Sequence, residues 1–192
     1  MKIKSAEFIK GITGDDPILR DKIPQIAFIG RSNVGKSSVI NAVTNRKNLV
    51  KSSSKAGKTK EINFFLINNS FYFVDLPGYG FAETSLEKRK SILLLIQWYL
   101  FDPNNYPQKV ILITDAKIGM TEKDQDMLHD LEHAEKEVLV IANKIDKLNA
   151  SEYSKNIQAM QAAAGTHIVV PFSAKNKTNI NKLLAGLFLQ YK

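Results

Sequence analysis

The chain has 192 residues, with 27 lysines and arginines against 19 aspartates and glutamates, and a net charge of +8. One domain of ordinary size fits this length. The chain has no cysteine, which excludes a disulfide framework, thiol catalysis and zinc thiolate sites. Its longest apolar run, at 92–101, is about half of what a membrane span requires. Residues 1–20 show no secretory signal, so we expect a cytoplasmic protein that does not enter a membrane.

Short apolar runs alternate with longer helical stretches along the chain. The predicted strands are 25–29, 61–67, 71–74, 110–114, 138–142 and 167–172. The predicted helices are 36–44, 121–134, 151–164, 179–191 and one that Thr84 or Ser85 caps and that ends at Phe101. This order predicts an α/β fold with a six-stranded, mostly parallel sheet, one antiparallel hairpin at its edge and helices on both faces. Residues 1–22 are interpreted as an N-terminal extension, and residues 23–192 as the domain.

The strongest motif is GRSNVGKS at 30–37, which matches G-x-x-x-x-G-K-[ST] directly after a strand and before a helix. Glycines let the backbone approach phosphate oxygens without a Cβ clash. The exposed N–H groups and the helix N-terminus present partial positive charge. We expect Lys36 to reach the β- and γ-phosphates and Ser37 to offer its hydroxyl to Mg²⁺. The motif predicts a site for nucleoside phosphates.

A second segment, Asp75-Leu76-Pro77-Gly78, follows the predicted hairpin. We expect the Asp75 carboxylate to hold Mg²⁺ through a water and the Gly78 N–H to reach the γ-phosphate. An aspartate before Pro-Gly is usually only a turn. Its place after a hairpin and a phosphate loop makes this one informative.

Two further segments predict which base is bound. NKID at 143–146 follows a strand, and the Asp146 carboxylate can accept both N–H groups on one edge of guanine. Adenine offers the opposite pattern and would leave the carboxylate unpaired. Asn143 is expected to hold the loop and meet the base, with the Lys144 stem over the base face. Backbone N–H groups of SAK at 173–175 can reach guanine O6.

These four segments, in this order, resemble the guanine-nucleotide loops of P-loop GTPases over roughly residues 23–192. Within that superfamily the chain resembles the EngB family (also called YihA or YsxC) of bacterial ribosome-assembly GTPases. The residues that carry the resemblance are GRSNVGKSS at 30–38, N-x-x-x-N-R-K-N-L at 41–49, S-S-x-A-G-K-T at 53–59 and VDLPGYGFA at 74–82. TDAKIGMTEKD at 114–124 also resembles the Era and Der relatives. An Era- or Der-like GTPase module with a different RNA or protein partner is therefore the alternative.

The resemblance implies roles for individual residues. Catalytic contributions are expected from Lys36, Thr59 and Gly78. Ser37 and Thr59 would ligate Mg²⁺, with Asp75 acting through a water. Asn33 matches the position of a potassium-binding asparagine in related GTPases, and a purely loop-shaping role for it is equally open. The expected contacts to GTP or GDP are Gly30, Arg31, Ser32, Asn33, Val34, Gly35, Lys36, Ser37, Ser38, Gly57, Lys58, Thr59, Lys60, Glu61, Asp75, Leu76, Pro77, Gly78, Asn143, Lys144, Asp146, Phe172, Ser173, Ala174 and Lys175.

Tyr79 follows Gly78, where Ras-like enzymes carry a glutamine that orients the attacking water. A tyrosine cannot activate water by that route, so we expect slow, Mg²⁺-dependent hydrolysis. Hydrolysis could then serve only as a timer for a nucleotide-gated binding protein. The NKID segment disfavours a third class, an ATP-dependent P-loop kinase.

A run of six cations precedes Glu61 without an intervening acid. It is either a solvated face or a contact for nucleotide phosphate or ribosomal RNA, and it comprises Arg46, Lys47, Lys51, Lys55, Lys58 and Lys60. The resemblance implies that the partner is the large ribosomal subunit or its precursor, bound by a monomer that is needed for normal growth and septation.

Overall fold

The computed structural model describes residues 2–50, 61–80, 85–103, 105 and 107–188. In these ranges seven strands form one sheet in the order β1-β3-β4-β2-β5-β6-β7. The strands are β1 (Ala6–Ile12), β2 (Gln25–Gly30), β3 (Ile62–Ile67), β4 (Phe71–Asp75), β5 (Pro107–Asp115), β6 (Val138–Asn143) and β7 (Val169–Pro171). The helices are α1 (Lys36–Thr44), α2 (Leu86–Phe101), α3 (Glu122–His133), α4 (Ala150–Ala163) and α5 (Ile180–Leu187).

Strands β4, β2, β5, β6 and β7 run parallel, and β3 is antiparallel to both β4 and β1. The hairpin turn between β3 and β4 places Asn68 and Asn69 at φ of 50° and 53°, a conformation that asparagine tolerates. This arrangement confirms the predicted α/β fold with its antiparallel hairpin. Within the described ranges, no helix combines the length and the apolar character that crossing a membrane requires.

Helices cover both faces of the sheet, which explains why its central strands are apolar throughout. Ala27 and Ile29 of β2 join a buried cluster with residues of α2, α3 and α4. The alternate residues Ile26 and Phe28 join a second cluster with residues of α1 and α5. The period of two along each strand thus divides the core into two layers.

The sheet has one strand more than the sequence predicts, because β1 lies within residues 1–22. Its burial pattern does not alternate: Phe8 is 54% exposed, and the register shifts between Phe8 and Lys10. An irregular edge strand leaves little periodicity in the sequence. The residues directly before β1 are bound to the hairpin, because the Asn68 side chain accepts the N–H groups of Lys4 and Ser5 at 2.7 and 3.0 Å. The boundary between residues 22 and 23 stays a prediction.

Lys109 is a buried cation near the amino-terminal end of β5, and it connects this end of the sheet to neighbouring elements. Its side chain is 2% exposed, and its Nζ lies 2.7 Å from Oε1 of Glu137, the residue before β6. The same Nζ donates to the carbonyl of Gly186 at 2.9 Å. Gly186 lies in the last turn of α5, where the helix dipole places partial negative charge. Lys109 therefore joins β5, β6 and α5.

We expect Lys109→Ala to lower the free energy of unfolding by about 2 kcal/mol, because it removes a buried ammonium that bonds to the partly exposed Glu137 carboxylate and to the Gly186 carbonyl. Lys155→Ala, at an exposed position of α4, is the matched control and should change that energy by less than about 0.5 kcal/mol. Urea denaturation measures both. Equal midpoints for the two variants would show that the Lys109 ammonium does not stabilise this end of the sheet.

Candidate nucleotide site

The loop at 30–35 connects the carboxyl end of β2 to the start of α1. Gly30 closes β2 so near to β5 that a Cβ there would collide with the carbonyl oxygen of Ile113. Gly35 has a φ of 94°, in the left-handed region, and a Cβ there would meet Nδ2 of Asn143. Both positions therefore require glycine. The Val34 side chain between them is buried in the core and anchors the loop.

Helix α1 begins directly after this loop, with Gly35 as its N-cap. Among the described residues no side chain caps this end, and its first turn holds no acidic residue. The N–H groups of the first turn are therefore available to an anion, which the positive end of the helix dipole attracts. Lys36 and Ser37 are the first two residues of this turn.

Lys36 and Asp75 form a buried ion pair at the centre of the site. The Lys36 ammonium donates to Oδ1 of Asp75 at the end of β4, and the two side chains are 9% and 2% exposed. This pairing places a cation for phosphate oxygens beside a carboxylate for a hydrated metal. A serine hydroxyl one residue along and this carboxylate are hard oxygen donors, the kind that Mg²⁺ prefers. The residues present therefore fit a magnesium-nucleotide site.

The segment at 75–79 lies directly on the phosphate loop. The Tyr79 N–H donates to the Gly30 carbonyl at 3.3 Å, and the Ser32 N–H donates to the Tyr79 carbonyl at 2.9 Å. A Cβ on Gly78 would come within 3.2 Å of Ser32 Oγ and 3.3 Å of Ser32 Cα. Only a glycine fits there without displacing Ser32. Leu76 and Pro77 are buried beside it.

The Tyr79 side chain lies in the core and reaches α3. The residue is 3% exposed, and its hydroxyl donates to Oδ1 of Asp124 in α3 at 2.8 Å. Burial first, and then the Asp124 carboxylate, raise the pKa of Tyr79 far above its usual range. The phenol therefore stays protonated as a donor. In this position it cannot orient a water on a phosphate.

Asn143, at the end of β6, joins two loops of the site. It is buried, its Nδ2 donates to the Val34 carbonyl at 2.8 Å, and its Oδ1 accepts the Ala174 N–H at 3.2 Å. Both ends of the amide are thus engaged with backbone. Asn143 holds the phosphate loop against the segment at 173–175, and its contact with a base stays a prediction.

Lys144 extends over the phosphate loop. Its backbone has a φ of 69°, and its ammonium donates to the Asn33 carbonyl at 2.5 Å and to Oδ2 of Asp115 at 2.7 Å. Asp115, at the end of β5, also accepts the Lys117 N–H at 2.9 Å. Sequence reasoning did not single out Asp115. The sequence does hold a signal for it, because Asp115 is a carboxylate that directly follows the predicted strand 110–114.

Asp146 is exposed at the rim, and Ser173 orients it. The Ser173 hydroxyl is buried and donates to Oδ1 of Asp146 at 2.6 Å. The backbone of Phe172 positions both, because its N–H donates to Ala142 at 2.8 Å and its carbonyl accepts the Ile145 N–H at 3.2 Å. The Phe172 ring lies in the core. Phe172 can therefore contribute to a nucleotide site only through its backbone.

The remaining predicted residues are placed less completely. Gly57, Lys58, Thr59 and Lys60 lie outside the described residues. The Glu61 carboxylate lies near Gly11, on the β1 side of β3 and away from β2. Asn33 is exposed with a φ of 68°, which fits a loop-shaping asparagine, and its binding of potassium stays a prediction. Ser38 and Lys175 are exposed.

The Arg31 side chain, in contrast, turns toward α3. Its Nε donates to Oδ2 of Asp124 at 2.9 Å. The structure thus directs this guanidinium to a protein carboxylate.

Comparison with known proteins places this geometry in a family. A family model described as "50S ribosome-binding GTPase" matches residues 25–144. A "Probable GTP-binding protein EngB" of Clostridium perfringens strain 13 is 43% identical over 192 residues, which cover 98% of this chain and 96% of the relative. The protein of the same name from Thermoanaerobacter pseudethanolicus is 41% identical, with 100% of both chains covered.

Solved structures agree with these relatives. A crystal structure of a probable GTP-binding protein engB superimposes with a TM-score of 0.73 and 25% identity over 86% of this chain and 97% of that one. Era in complex with MgGDPNP and nucleotides 1506–1542 of 16S ribosomal RNA gives a TM-score of 0.70 and 26% identity, over 88% of this chain and 56% of Era. The chain therefore belongs to the EngB family of GTP-binding proteins and is a GTPase.

Proposed function

We propose that this GTPase is a nucleotide-gated assembly factor for the large ribosomal subunit, that it works in the cytoplasm as a monomer, and that it hydrolyses GTP slowly with Mg²⁺. One observation carries the nucleotide part of this proposal. The Lys36–Asp75 pair, the Asn143 amide and the Asp146 carboxylate all lie at one edge of the sheet. The family description, which names the 50S ribosome, supports the partner.

The phosphates would lie over α1, where the uncapped N–H groups and the Lys36 ammonium meet them. When bound, Mg²⁺ would neutralise phosphate charge as it develops during the reaction. Ser37 would hold it directly, and Asp75 through a water. The Gly78 N–H, held against Ser32, would donate to the γ-phosphate. Thr59, outside the described residues, would complete the metal shell.

The guanine would lie between the Lys144 stem and the segment at 173–175. The Ser173 hydroxyl fixes one oxygen of Asp146, and the carboxylate then accepts the two N–H groups of the guanine edge. The backbone N–H groups of Ala174 and Lys175 would face O6. A base with the opposite donor and acceptor pattern leaves these groups unpaired, which is how such a site rejects ATP.

Ribosomal RNA would be bound through the cations at 46–60. Two of the six, Arg46 and Lys47, lie in the described ranges, directly after α1. Asn41 anchors this connection, because its Nδ2 donates to the Val50 carbonyl at 2.8 Å and its Oδ1 accepts the Val50 N–H at 2.9 Å. The other four cations flank Thr59 in the sequence. Because Thr59 would contact the metal only when the γ-phosphate is present, GTP would order this segment and bring the four cations together, whereas with GDP they would stay dispersed. The proposal therefore implies that loss of this protein impairs growth and septation.

An Era-like module that binds small-subunit RNA is the second candidate. The solved Era complex carries a fragment of 16S ribosomal RNA, and its fold matches this chain over 88% of the length. This chain covers only 56% of Era, which weakens the analogy. Sedimentation with separated 50S and 30S subunits, in GDP and in a non-hydrolysable GTP analogue, distinguishes the two candidates. The proposal requires GTP-dependent co-sedimentation with 50S.

We expect Asp146→Asn to weaken GTP binding by more than about a hundredfold, because an amide cannot accept both guanine protons. The same variant should gain affinity for xanthosine triphosphate. Displacement of a fluorescent GDP analogue measures both affinities. Asp126→Asn, which changes an exposed carboxylate of α3, is the matched control and should bind GTP like the wild type. Unchanged GTP affinity in Asp146→Asn would remove this residue from the base site.

We expect the isolated protein to hydrolyse GTP at well below about one turnover per second, because Tyr79 is buried against α3 and cannot orient water. Ser37→Ala should abolish the response of that rate to Mg²⁺, whereas Ser91→Ala, on the exposed surface of α2, should not. Phosphate release over a Mg²⁺ titration checks both statements. Many turnovers per second, or a normal Mg²⁺ response in Ser37→Ala, would contradict them.

We expect ribosome affinity to fall steeply with salt, with a log–log slope of about −4 to −5 if all six cations contact phosphates. Replacing Lys51, Lys55 and Lys58 by glutamine should flatten this slope and weaken ribosome binding while sparing much of the GTP affinity. The matched control replaces Lys22, Lys155 and Lys182, which are exposed elsewhere. An unchanged slope in the first triple variant would make the run a solvated face. Lys88, Arg89 and Lys90 of α2 would then be the next surface to test.

A further inference from the structure

Asp124, in the first turn of α3, lies outside the nucleotide-binding segments, yet its carboxylate contacts two of them. We propose that Asp124 is a positioning residue for GTP hydrolysis. It holds Arg31 of the phosphate loop and Tyr79 of the segment at 75–79 together. In this arrangement Lys36 and the Gly78 N–H would contact the same γ-phosphate. This inference rests on hydrolysis at the site described above.

The contacts are hydrogen bonds that converge on one carboxylate. Oδ1 of Asp124 accepts the Tyr79 hydroxyl at 2.8 Å, and Oδ2 accepts the Arg31 Nε–H at 2.9 Å. Oδ2 also accepts the hydroxyl and the N–H of Thr121 at 2.8 and 3.0 Å. The Asp124 side chain is 0% exposed, and that of Arg31 is 19% exposed. Leaving a buried carboxylate unpaired costs free energy, so the bonds from Arg31 and Tyr79 stabilise the arrangement in which both loops contact Asp124.

Backbone contacts show what Asp124 holds in register. Arg31 and Tyr79 form a parallel bridge outside the regular strands. On either side of it, Gly30 accepts from Tyr79 and Ser32 donates to Tyr79. Gly78, whose N–H is proposed to meet the γ-phosphate, directly precedes this bridge. A small shift between the two loops would misalign that N–H, and a misplacement of this kind lowers the rate of GTP hydrolysis strongly.

Helix capping alone does not account for Asp124. It is the third residue of a capping box with Thr121, and α4 has the same motif in Asn149 and Glu152. Glu152 caps α4 at a half-buried position, with solvent-exposed bonds of 2.9 Å to and from Asn149. A capping box therefore needs neither full burial nor contacts with other loops. Asp124 has both, and its additional partners are Arg31 and Tyr79.

The test compares two tyrosines that each donate to an aspartate. Tyr79→Phe removes only the hydroxyl that Asp124 accepts. Tyr72→Phe removes the equivalent bond to Asp21, which is 2.8 Å long and connects β4 to the segment before β2. Both rings are buried, at 3% and 5% exposure. Single-turnover GTP hydrolysis, GDP affinity and melting temperature are measured for each variant and for the wild type.

We expect Tyr79→Phe to lower the hydrolysis rate about tenfold, with GDP affinity within about threefold of the wild type. Tyr72→Phe, whose acceptor Asp21 is exposed, should lower the melting temperature by no more than Tyr79→Phe does and leave the rate unchanged. A Tyr79→Phe rate within about twofold of the wild type, in a preparation whose wild type hydrolyses GTP, would overturn this inference alone. A wild type that neither binds nor hydrolyses GTP would overturn the proposed function as well.

A second pair of variants separates positioning from capping. Asp124→Asn keeps an acceptor for one partner and loses the charge that Arg31 faces. Glu152→Gln makes the corresponding change in the α4 capping box. We expect Asp124→Asn to reduce the rate at least as much as Tyr79→Phe, and Glu152→Gln to leave it unchanged. Equal rates for these two variants, with both folded at the assay temperature, would show that Asp124 only caps α3.

Discussion

A parallel sheet delivers the carboxyl ends of its strands to one edge, and the groups of the candidate site come from such ends. Strand β2 leads into the phosphate loop, β4 ends in Asp75, and β6 ends in Asn143. Because β2 lies between β4 and β5 in the sheet, segments far apart in the sequence meet over a few strand spacings. The two core layers hold these strands rigid. The loops can therefore be short and still be precisely placed.

Ion pairs then lock the loops to one another. Lys36 pairs with Asp75, Lys144 with Asp115, and Arg31 with Asp124. Each pair connects two different segments of the site edge, and in each the carboxylate is at most 8% exposed. Burying a carboxylate without a partner costs several kcal/mol, so separating the segments would expose or orphan a charge. Asn143 adds a neutral connection through both ends of its amide.

The parts of this account that the sequence predicts are local in the chain. The phosphate loop needs glycines, a lysine and a helix start at fixed spacing, and all lie within 30–37. The roles of Asp115 and Asp124 were not predicted, because they depend on which strands and helices become neighbours. The position of the Tyr79 side chain was not predicted for the same reason. The sequence shows that residue 79 is a tyrosine and not a glutamine, but it does not show that the side chain packs against α3.

Edge and surface elements were also hard to predict. β1 is irregular and half-exposed, so its alternation is weak. In α2, the apolar residues Leu86 and Leu93 are 80% and 42% exposed, whereas Tyr99 is buried. This helix is apolar on more than one side, so spacing alone cannot select the buried face.

The central claim is that this edge of the sheet selects guanine nucleotides. Displacement of a fluorescent GDP analogue from the wild-type protein, by GTP and by ATP in parallel titrations, tests it most directly. The account predicts that GTP displaces the probe at concentrations more than about a hundredfold lower than ATP, because Asp146 is oriented to accept two protons that adenine does not offer. Equal displacement by the two nucleotides would contradict it.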